Sequence, residues 1–566
     1  MADMTHDFLV PPKDEEVKVL RFLDEIDGEA EASRKEISRD WEENIRQVRG
    51  DQWRIKRSPY FLANIVKNQV RRKVGSLTEV KPQFQVRALQ SLLNDASLVL
   101  HNVTKALLDR TSSDDAIYRV CHFGMTLGSA FMNTAYDPVL GDVDLSFIDP
   151  RRVWLDPTIT SAADIDRRAQ YVRLDTVLPL TEIRARFPGR GQLVKPDEKL
   201  SSYSMTGSRT RLSVISSVLQ SMPRVYRPGQ STKSGPIPRA QVREYWVIDP
   251  QLDWHGFRMF PGRRHFIRAG NVILDDRVSP SWDGGVPLEM FEWDVDYDSP
   301  WGLPEVGDLR RLQEALNRMG DSWVRNVLLG SNFRVVADVD AIDPDQWDKL
   351  DNEAGLVIRK RPNRQFEYQP PAIDAAQGIP QAISLLIQLA ELLTGVGEST
   401  RSPAQGAAAL EGLQLARQVL ARSVARRLES FIERIGQKLI SRVFQYFTSD
   451  RVLMIQGPNR DWISYTYERQ KLLQDDKGNM RSVEERQSMY KDFRFVVTPG
   501  SSLATTRLQR TMAMLQLRTA TGFAPSVRRI LQETDLGDAD EIMREGLEEL
   551  PKIPSPPVPK GRGGKP

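Results

Sequence analysis

Asp294, Asp296, Asp298 and Glu305 stand at positions 1, 3, 5 and 12 of one segment, the spacing of the oxygen ligands in a calcium-binding loop. Carboxylates so spaced could hold a divalent cation, and a cation held beside a nucleic acid could support its cleavage. The rest of the loop argues against that chemistry. Position 6, where the sharp turn requires glycine, is Ser299, Pro300 follows, and no apolar periodicity marks an entering helix. A polar turn that caps the next helix explains the acids better. Other reactive patterns are missing from the sequence. It contains no G-x-x-x-x-G-K-[ST] phosphate loop. His6, His101, His122, His255 and His265 have neither H-E-x-x-H nor zinc-type spacing. Cys121, the single cysteine, sits in an apolar helical stretch and reads as core. The expectation is a chain without a cofactor and without enzymatic activity.

The elements that would position such residues follow from length and pattern. At 566 residues the chain is too long for one small core, and about two to four units are expected. With 40% apolar and 27% charged residues it has the composition of a soluble folded protein. A net charge of +3 gives no strong bulk attraction to nucleic acid, so any contact with a polyanion must come from local charge placement. One cysteine excludes an intrachain disulfide and fits a reducing compartment. The polar start Met1–Asp7 does not read as a signal peptide. The longest apolar candidate, Ile383 to Val396, is interrupted by Gln388, Glu391 and Thr394, so no association with a membrane is expected.

Helical spacing is visible in Val17, Leu20, Leu23 and Ile26, and again in Ile37, Trp41 and Ile45. Asn64 to Leu77 reads as a helix with a basic face of Lys67, Arg71, Arg72 and Lys73, read here as solvated. Pro82 ends it and Gln83 to Arg87 alternates like a strand. Residues 92 to 135 read as two helices, the second using Ile117, Val120, Phe123, Leu127 and Phe131. Residues 136 to 180 are β-like, and a helix follows near Leu180 to Phe187. Ser, Thr, Gly and Pro dominate 200–239, which reads as a mobile insertion. A small antiparallel unit is expected from Gln241 to Pro287.

The centre of the chain carries the strongest pattern. Leu303, Val306, Leu309, Leu312, Leu316, Met319, Trp323 and Val327 step by three or four and predict a helix over 303–329. An αβ insert follows at 333–371, with strands at Phe333 to Val336, Leu356 to Ile358 and Phe366 to Tyr368 and a short helix at Pro344 to Leu350. Pro380 suits a first helical turn, so a second helix is expected from about 379 to 394. A third, long helix over 410–447 uses Leu420, Val424, Leu428, Ile432, Ile435, Leu439 and Val443. β character returns at Arg451 to Ile455 and Phe493 to Val497, with a helix near 482–491, and 505–550 reads as helical again.

This order resembles the portal proteins of tailed double-stranded DNA bacteriophages. The resemblance rests on Gly50-Asp51-Gln52-Trp53 followed by Asn64, and on Ser299-Pro300-Trp301-Gly302-Leu303-Pro304 leading into a helix with Gln313, Asn317 and Arg318. Thr394-Gly395-Val396, the Gly/Ser/Thr loop after it, and the long Arg-rich helix ending Phe444-Gln445-Tyr446-Phe447 complete it, with Thr498-Pro499-Gly500-Ser501-Ser502 opening the C-terminal part. The resemblance implies an α+β, predominantly helical chain that assembles into a ring, usually of twelve subunits. By segment it implies a wing (1–300, with the insertion 200–239, and 448–502), stem helices (301–330 and 373–395) and a clip (331–372). It also implies a tunnel loop (396–409), a long joining helix (410–447), crown helices (503–550) and a disordered tail (551–566). The implied partners are double-stranded DNA in the channel, the terminase large subunit, head–tail adaptor and tail proteins, and the major capsid and scaffolding proteins. The implied place is the portal vertex of the virion, after assembly in the host cytoplasm. Another head–tail connector ring is the nearest alternative, and a metal-dependent nucleic-acid enzyme using Asp294, Asp296 and Asp298 is a more distant one.

A DNA conduit must hold phosphates loosely, since every fixed cation contact adds salt-dependent affinity that opposes movement. Glu398, Ser399, Thr400, Arg401, Ser402 and Gln405 give the expected tunnel loop that flexible, polar, sparsely charged character, which an ordinary interhelical linker would share. Arg359, Lys360, Arg361 and Arg364 form a basic cluster in the expected clip, which suits docking to an acidic partner, contact with DNA or a solvated turn equally well. The cations Arg417, Arg422, Arg426, Arg427, Arg434, Lys438 and Arg442 on the long helix admit two readings, intersubunit or solvated ion pairs, or a channel-facing set. Trp53, Trp154, Trp246, Trp301 and Trp323 are expected to be packing or interface anchors.

Overall fold

The computed structural model describes residues 13–52, 61–79, 81–137, 141–197, 237–251, 260, 262–331, 334–338, 341–342, 360–369, 374–394, 407–456, 462–474 and 480–498. About half of this is helical. In chain order the elements begin with helices α1 (Lys13–Ser33), α2 (Lys35–Arg49) and α3 (Ile65–Thr78), strand β1 (Phe84–Ala88), and helices α4 (Asn94–Leu108) and α5 (Thr111–Leu127). Strands β2 (Ser129–Asn133), β3 (Tyr136–Asp137), β4 (Asp142–Val143), β5 (Ser146–Ile148), β6 (Val153–Leu155) and β7 (Tyr171–Pro179) lead to helix α6 (Leu180–Arg186). Strands β8 (Arg239–Val247), β9 (Arg264–Ala269), β10 (Val272–Val278) and β11 (Leu288–Glu292) follow. Then come α7 (Glu305–Ser331), β12 (Arg334–Ala337), β13 (Phe366–Gln369), α8 (Asp374–Thr394) and α9 (Ala407–Tyr446). Strands β14 (Arg451–Gln456) and β15 (Trp462–Tyr467), helices α10 (Gln470–Leu473) and α11 (Val483–Met489), and strand β16 (Phe493–Val497) close the described chain.

Two sheets carry the N-terminal half. One is antiparallel and five-stranded in the order β10-β9-β8-β7-β6, and the other is three-stranded in the order β11-β2-β5. The antiparallel unit expected from Gln241 to Pro287 is present as β8, β9 and β10, but it is only part of a larger sheet that upstream strands complete. β7 pairs with β8 over nine positions, Tyr171 opposite Val247 through Pro179 opposite Arg239, so strands on both sides of the 200–239 segment share one sheet. Alternation within 241–287 could show strands but not that their neighbour lies upstream of a long insertion. Of the insertion expected at 200–239, residues 200–236 lie outside the described residues, and Arg239 already belongs to β8.

A correction concerns Phe131, read as part of a helix. α5 stops after Leu127 because Gly128 takes φ +86, and a Cβ there would lie 1.7 Å from the Gly302 carbonyl oxygen. The chain then turns into β2, where Phe131 is buried. α8 begins at Asp374 rather than 379 and carries Pro380 inside it, so the N–H that would bond the Ala376 carbonyl is missing. α9 has 40 residues, about 60 Å at 1.5 Å per residue.

The main core gathers α3, α4, α5, α9, β1 and β16. β1 pairs with β16 across most of the chain, Phe84 opposite Val497, and Phe84 stacks on Phe495 at 4.5 Å. α9 crosses that pair at Gly436, where a Cβ would lie 2.2 Å from the Phe495 ring. Cys121 is fully buried in this core, and burial pushes its thiol up to about 12.

Candidate functional site: a helical hairpin and its root

α7 is 27 residues long, about 40 Å, and α8 is 21. Three residues on adjacent turns of α3, Gln69, Arg72 and Lys73, fix their relative direction. Lys73 Nζ donates to both carboxylate oxygens of Glu305 at 2.7 Å, at the start of α7. Arg72 reaches Glu391 at 3.5 Å, and the Thr394 hydroxyl donates to Gln69 Oε1 at 3.1 Å, at the end of α8. The beginning of one helix and the end of the other thus meet on α3, and the two run antiparallel. At the far end β12 and β13 pair antiparallel, Arg334 opposite Gln369, and carry the chain from one helix to the other.

The root of this hairpin is built from the segments that carry the sequence resemblance. Gly50 takes φ +81 and closes α2. Asn64 then bridges two helices: its Nδ2 donates to the carbonyls of Gln47 and Val48, both at 3.1 Å, while its Oδ1 accepts from Lys67 N at 2.9 Å as the N-cap of α3. Gln313, on α7 and 1% exposed, completes the cap. Its Oε1 accepts from Ile65 N at 2.9 Å and Val66 N at 3.3 Å, and its Nε2 donates to Ala63 O at 2.7 Å and Asn317 Oδ1 at 2.9 Å. Asn317 Nδ2 donates to Gln52 Oε1 at 2.6 Å. Orphan N–H groups at the start of α3 are therefore satisfied by a side chain from α7.

The Ser299–Pro304 segment fixes where α7 begins. Trp301 is buried edge-on against Trp41 at 5.0 Å and Phe131 at 5.9 Å. Gly302 N donates to Ser129 Oγ at 3.0 Å, and a Cβ on Gly302 would lie 2.6 Å from the carbonyls of Asp294 and Gly128. Arg34, at the break between α1 and α2, lies over the Trp154 ring at 3.3 Å and within 6 Å of the Trp41 and Trp301 rings. Its guanidinium donates to the carbonyls of Pro150, Arg151 and Val153, and burial pulls it down to about 9, so it stays charged at neutral pH. Trp154 and Trp246 are also buried, whereas Trp323 is 37% exposed and Trp53 lies outside the described residues.

The acidic residues singled out by spacing are not gathered. Asp294 pairs with Arg427 at 2.7 Å. Glu305 is taken by Lys73 and by Trp293 Nε1 at 2.8 Å, and its pKa is raised by burial, with Lys73 opposing. Asp298 is exposed and Asp296 half-buried. Among the described residues no group of three or more His, Cys, Asp or Glu side chains could hold a metal ion. Of the basic cluster, Lys360, Arg361 and Arg364 are exposed around the turn into β13, where Arg361 N donates to Ala341 O at 3.0 Å, and Arg359 lies outside the described residues. Glu398, Ser399, Thr400, Arg401, Ser402 and Gln405 lie outside them as well, as do the strand and helix expected within 344–358.

Two basic sets behave differently from expectation. On α3 the solvated basic face is corrected: Lys73 is buried on Glu305 and Arg72 turns to Glu391, while Lys67 and Arg71 are exposed. On α9, residues 427, 434, 438 and 442 share one face and pair with acids of the chain's own N-terminal half, Glu289 on β11 and others in the connecting segments. Arg434 reaches Glu289 at 3.0 Å, Lys438 reaches Glu289 at 2.8 Å and Asp166 at 2.9 Å, and Arg442 reaches Asp283 at 3.2 Å. Burial works against the charge on Lys438, yet Glu289 and Asp166 prevail and raise its pKa.

The hairpin exposes an apolar surface, on α8 toward the root and on α7 farther out. Leu385, Leu389, Leu392 and Leu393 on α8 and Trp323 and Val327 on α7 are exposed, Leu385 by 59% and Leu392 by 60%. No charged residue occurs between Asp374 and Glu391. A helix with that surface is built to be covered.

Residues 308–557 match the family model of the phage P22-like portal proteins. The matched stretch starts on α7 and takes in the insert strands, α8, α9 and β14 to β16. It supports a phage portal protein, and with it a role in the phage capsid. No curated protein matches the chain.

Proposed function

We propose that this chain is the protomer of a phage portal, a ring at one capsid vertex through which double-stranded DNA enters during packaging and leaves at infection. The observation that carries the proposal is the antiparallel α7–α8 hairpin, rooted on α3, with a β-hairpin at its far end and an exposed apolar surface along its length. In this reading α7 and α8 are the stem, 331–372 is the clip, 396–409 is the tunnel loop, the sheets belong to the wing, and α9 joins the channel to the wing and crown. Identical copies, twelve in the family's usual ring, cover one another's apolar hairpin surfaces. Lys360, Arg361 and Arg364 present cations at the clip turn to an acidic face of the terminase motor, and later of the adaptor that replaces it. The ATPase is a separate protein, because this sequence has no phosphate loop.

Negative-stain microscopy of the purified full chain tests the reading. Uniform rings with a central hole wide enough for a duplex are expected. A monomer that persists at micromolar concentration and moderate salt would overturn it.

A further inference from the structure

The faces of α8 separate by chemistry. Ala390 and Thr394 are buried against the chain's own α3 and α7. Leu385, Leu389, Leu392 and Leu393, spaced by three and four, form a second face and are exposed. Gln381, Ser384 and Gln388, also spaced by three and four and also exposed, form a third, roughly a quarter turn from the leucines at 3.6 residues per turn.

We infer that the outer part of the leucine face of α8, Leu385 and Leu389, is covered by the exposed Trp323 and Val327 of α7 from the next copy, and that this contact leaves Gln381, Ser384 and Gln388 as an uncharged lining of the bore. The inference rests on the ring reading above and assigns its stem contact. One relationship selects a second copy as the occupant. Both halves of the contact are apolar, uncovered and on one hairpin, so a head-to-tail neighbour supplies the half each copy lacks. Such heterologous contacts repeat around an axis and form a ring where the rotation closes, as the ring reading requires. The other exposed face of α7 is excluded because it carries Asp308, Arg311, Glu314, Arg318 and Arg325, which suit solvent.

The remaining strip has a chemical consequence. Amide and hydroxyl groups can exchange hydrogen bonds with passing phosphates and water, and they offer no fixed cation. Each lysine or arginine contact would add affinity that must be broken at every step. A charge-free strip lets a duplex slide.

Single cysteines at Leu389, Gln388 and Ser384, placed in a Cys121→Ala chain, test this by the rate of maleimide labelling in assembled rings. Leu389→Cys is expected to react at least tenfold more slowly than Gln388→Cys and Ser384→Cys. The pair Trp323→Cys with Leu389→Cys, oxidised in rings, is expected to give a ladder of linked subunits on a non-reducing denaturing gel. Rings of normal appearance in which Leu389→Cys labels as fast as Gln388→Cys and the pair gives no ladder would overturn this contact and leave the ring reading standing. Absence of rings from the parent chain would overturn the ring reading itself.

Discussion

Lys73 lies 2.7 Å from both carboxylate oxygens of Glu305, with the lysine side chain 4% and the glutamate 14% exposed. The pair joins the middle of α3 to the first turn of α7. Glu305 also accepts from Trp293, so the ion pair is hydrogen-bonded on both sides. Removing one partner strands a buried charge. Lys73→Met is expected to cost about 3–5 kcal/mol of unfolding free energy, and Lys73→Met with Glu305→Gln much less. Urea unfolding of the three chains checks this, and equal losses in the single and double variants would refute it.

Gln313 serves α3 as a cap contributed by a distant helix. Gln313→Leu keeps the volume and leaves the Ile65 and Val66 N–H groups without their acceptor. The expected loss is about 1–3 kcal/mol, and amide hydrogen exchange at the first turn of α3 should quicken more than in α4.

Glycine at 320 is required by packing. A Cβ there would lie 2.1 Å from the Phe61 ring, so Gly320→Ala must push Phe61 off α7. Overpacking of this kind costs about 1–3 kcal/mol. Gly307→Ala, whose Cβ would meet only Pro304 at 3.8 Å, serves as the control on the same helix. Thermal unfolding should separate the two, and equal midpoints would refute the packing argument.

Much of this frame was legible in the sequence. The stripe from Leu303 to Val327 fixed α7 to within two residues, and the long apolar series fixed α9. Two classes of feature were not legible. Pairings between distant segments, such as β1 with β16 or β7 with β8, leave no local trace, because alternation shows a strand but not its neighbour. The fate of a cation is equally nonlocal: Lys73 and Arg71 look alike in sequence, and only the position of Glu305 buries one of them. A usable signal was present for the root network. Gln313 and Asn317 stand among apolar stripe positions of α7, and a polar residue on a core face must find partners.

The acid side of stability should be divided between groups of opposite sign. Asp166 has a lowered pKa: burial would raise it, but Lys438 and the Val286 N–H prevail. Its contribution is present above the unfolded value of 3.8 and is lost as pH falls through the folded one. Glu292 has a raised pKa through burial, with Ala162 N and Arg434 opposing. Its contribution is present below the unfolded value of 4.5 and is lost as pH rises through the folded one. Glu292→Gln keeps an acceptor for Ala162 N and removes the charge, so it is expected to raise the melting temperature at pH 7 and to change it little at pH 4. Asp166→Asn should do the reverse, lowering the melting temperature at pH 7 and converging on the parent as pH falls below 3.8. Melting curves across that range check both signs, and a Glu292→Gln chain less stable than the parent at pH 7 would refute the assignment of burial as the dominant cause.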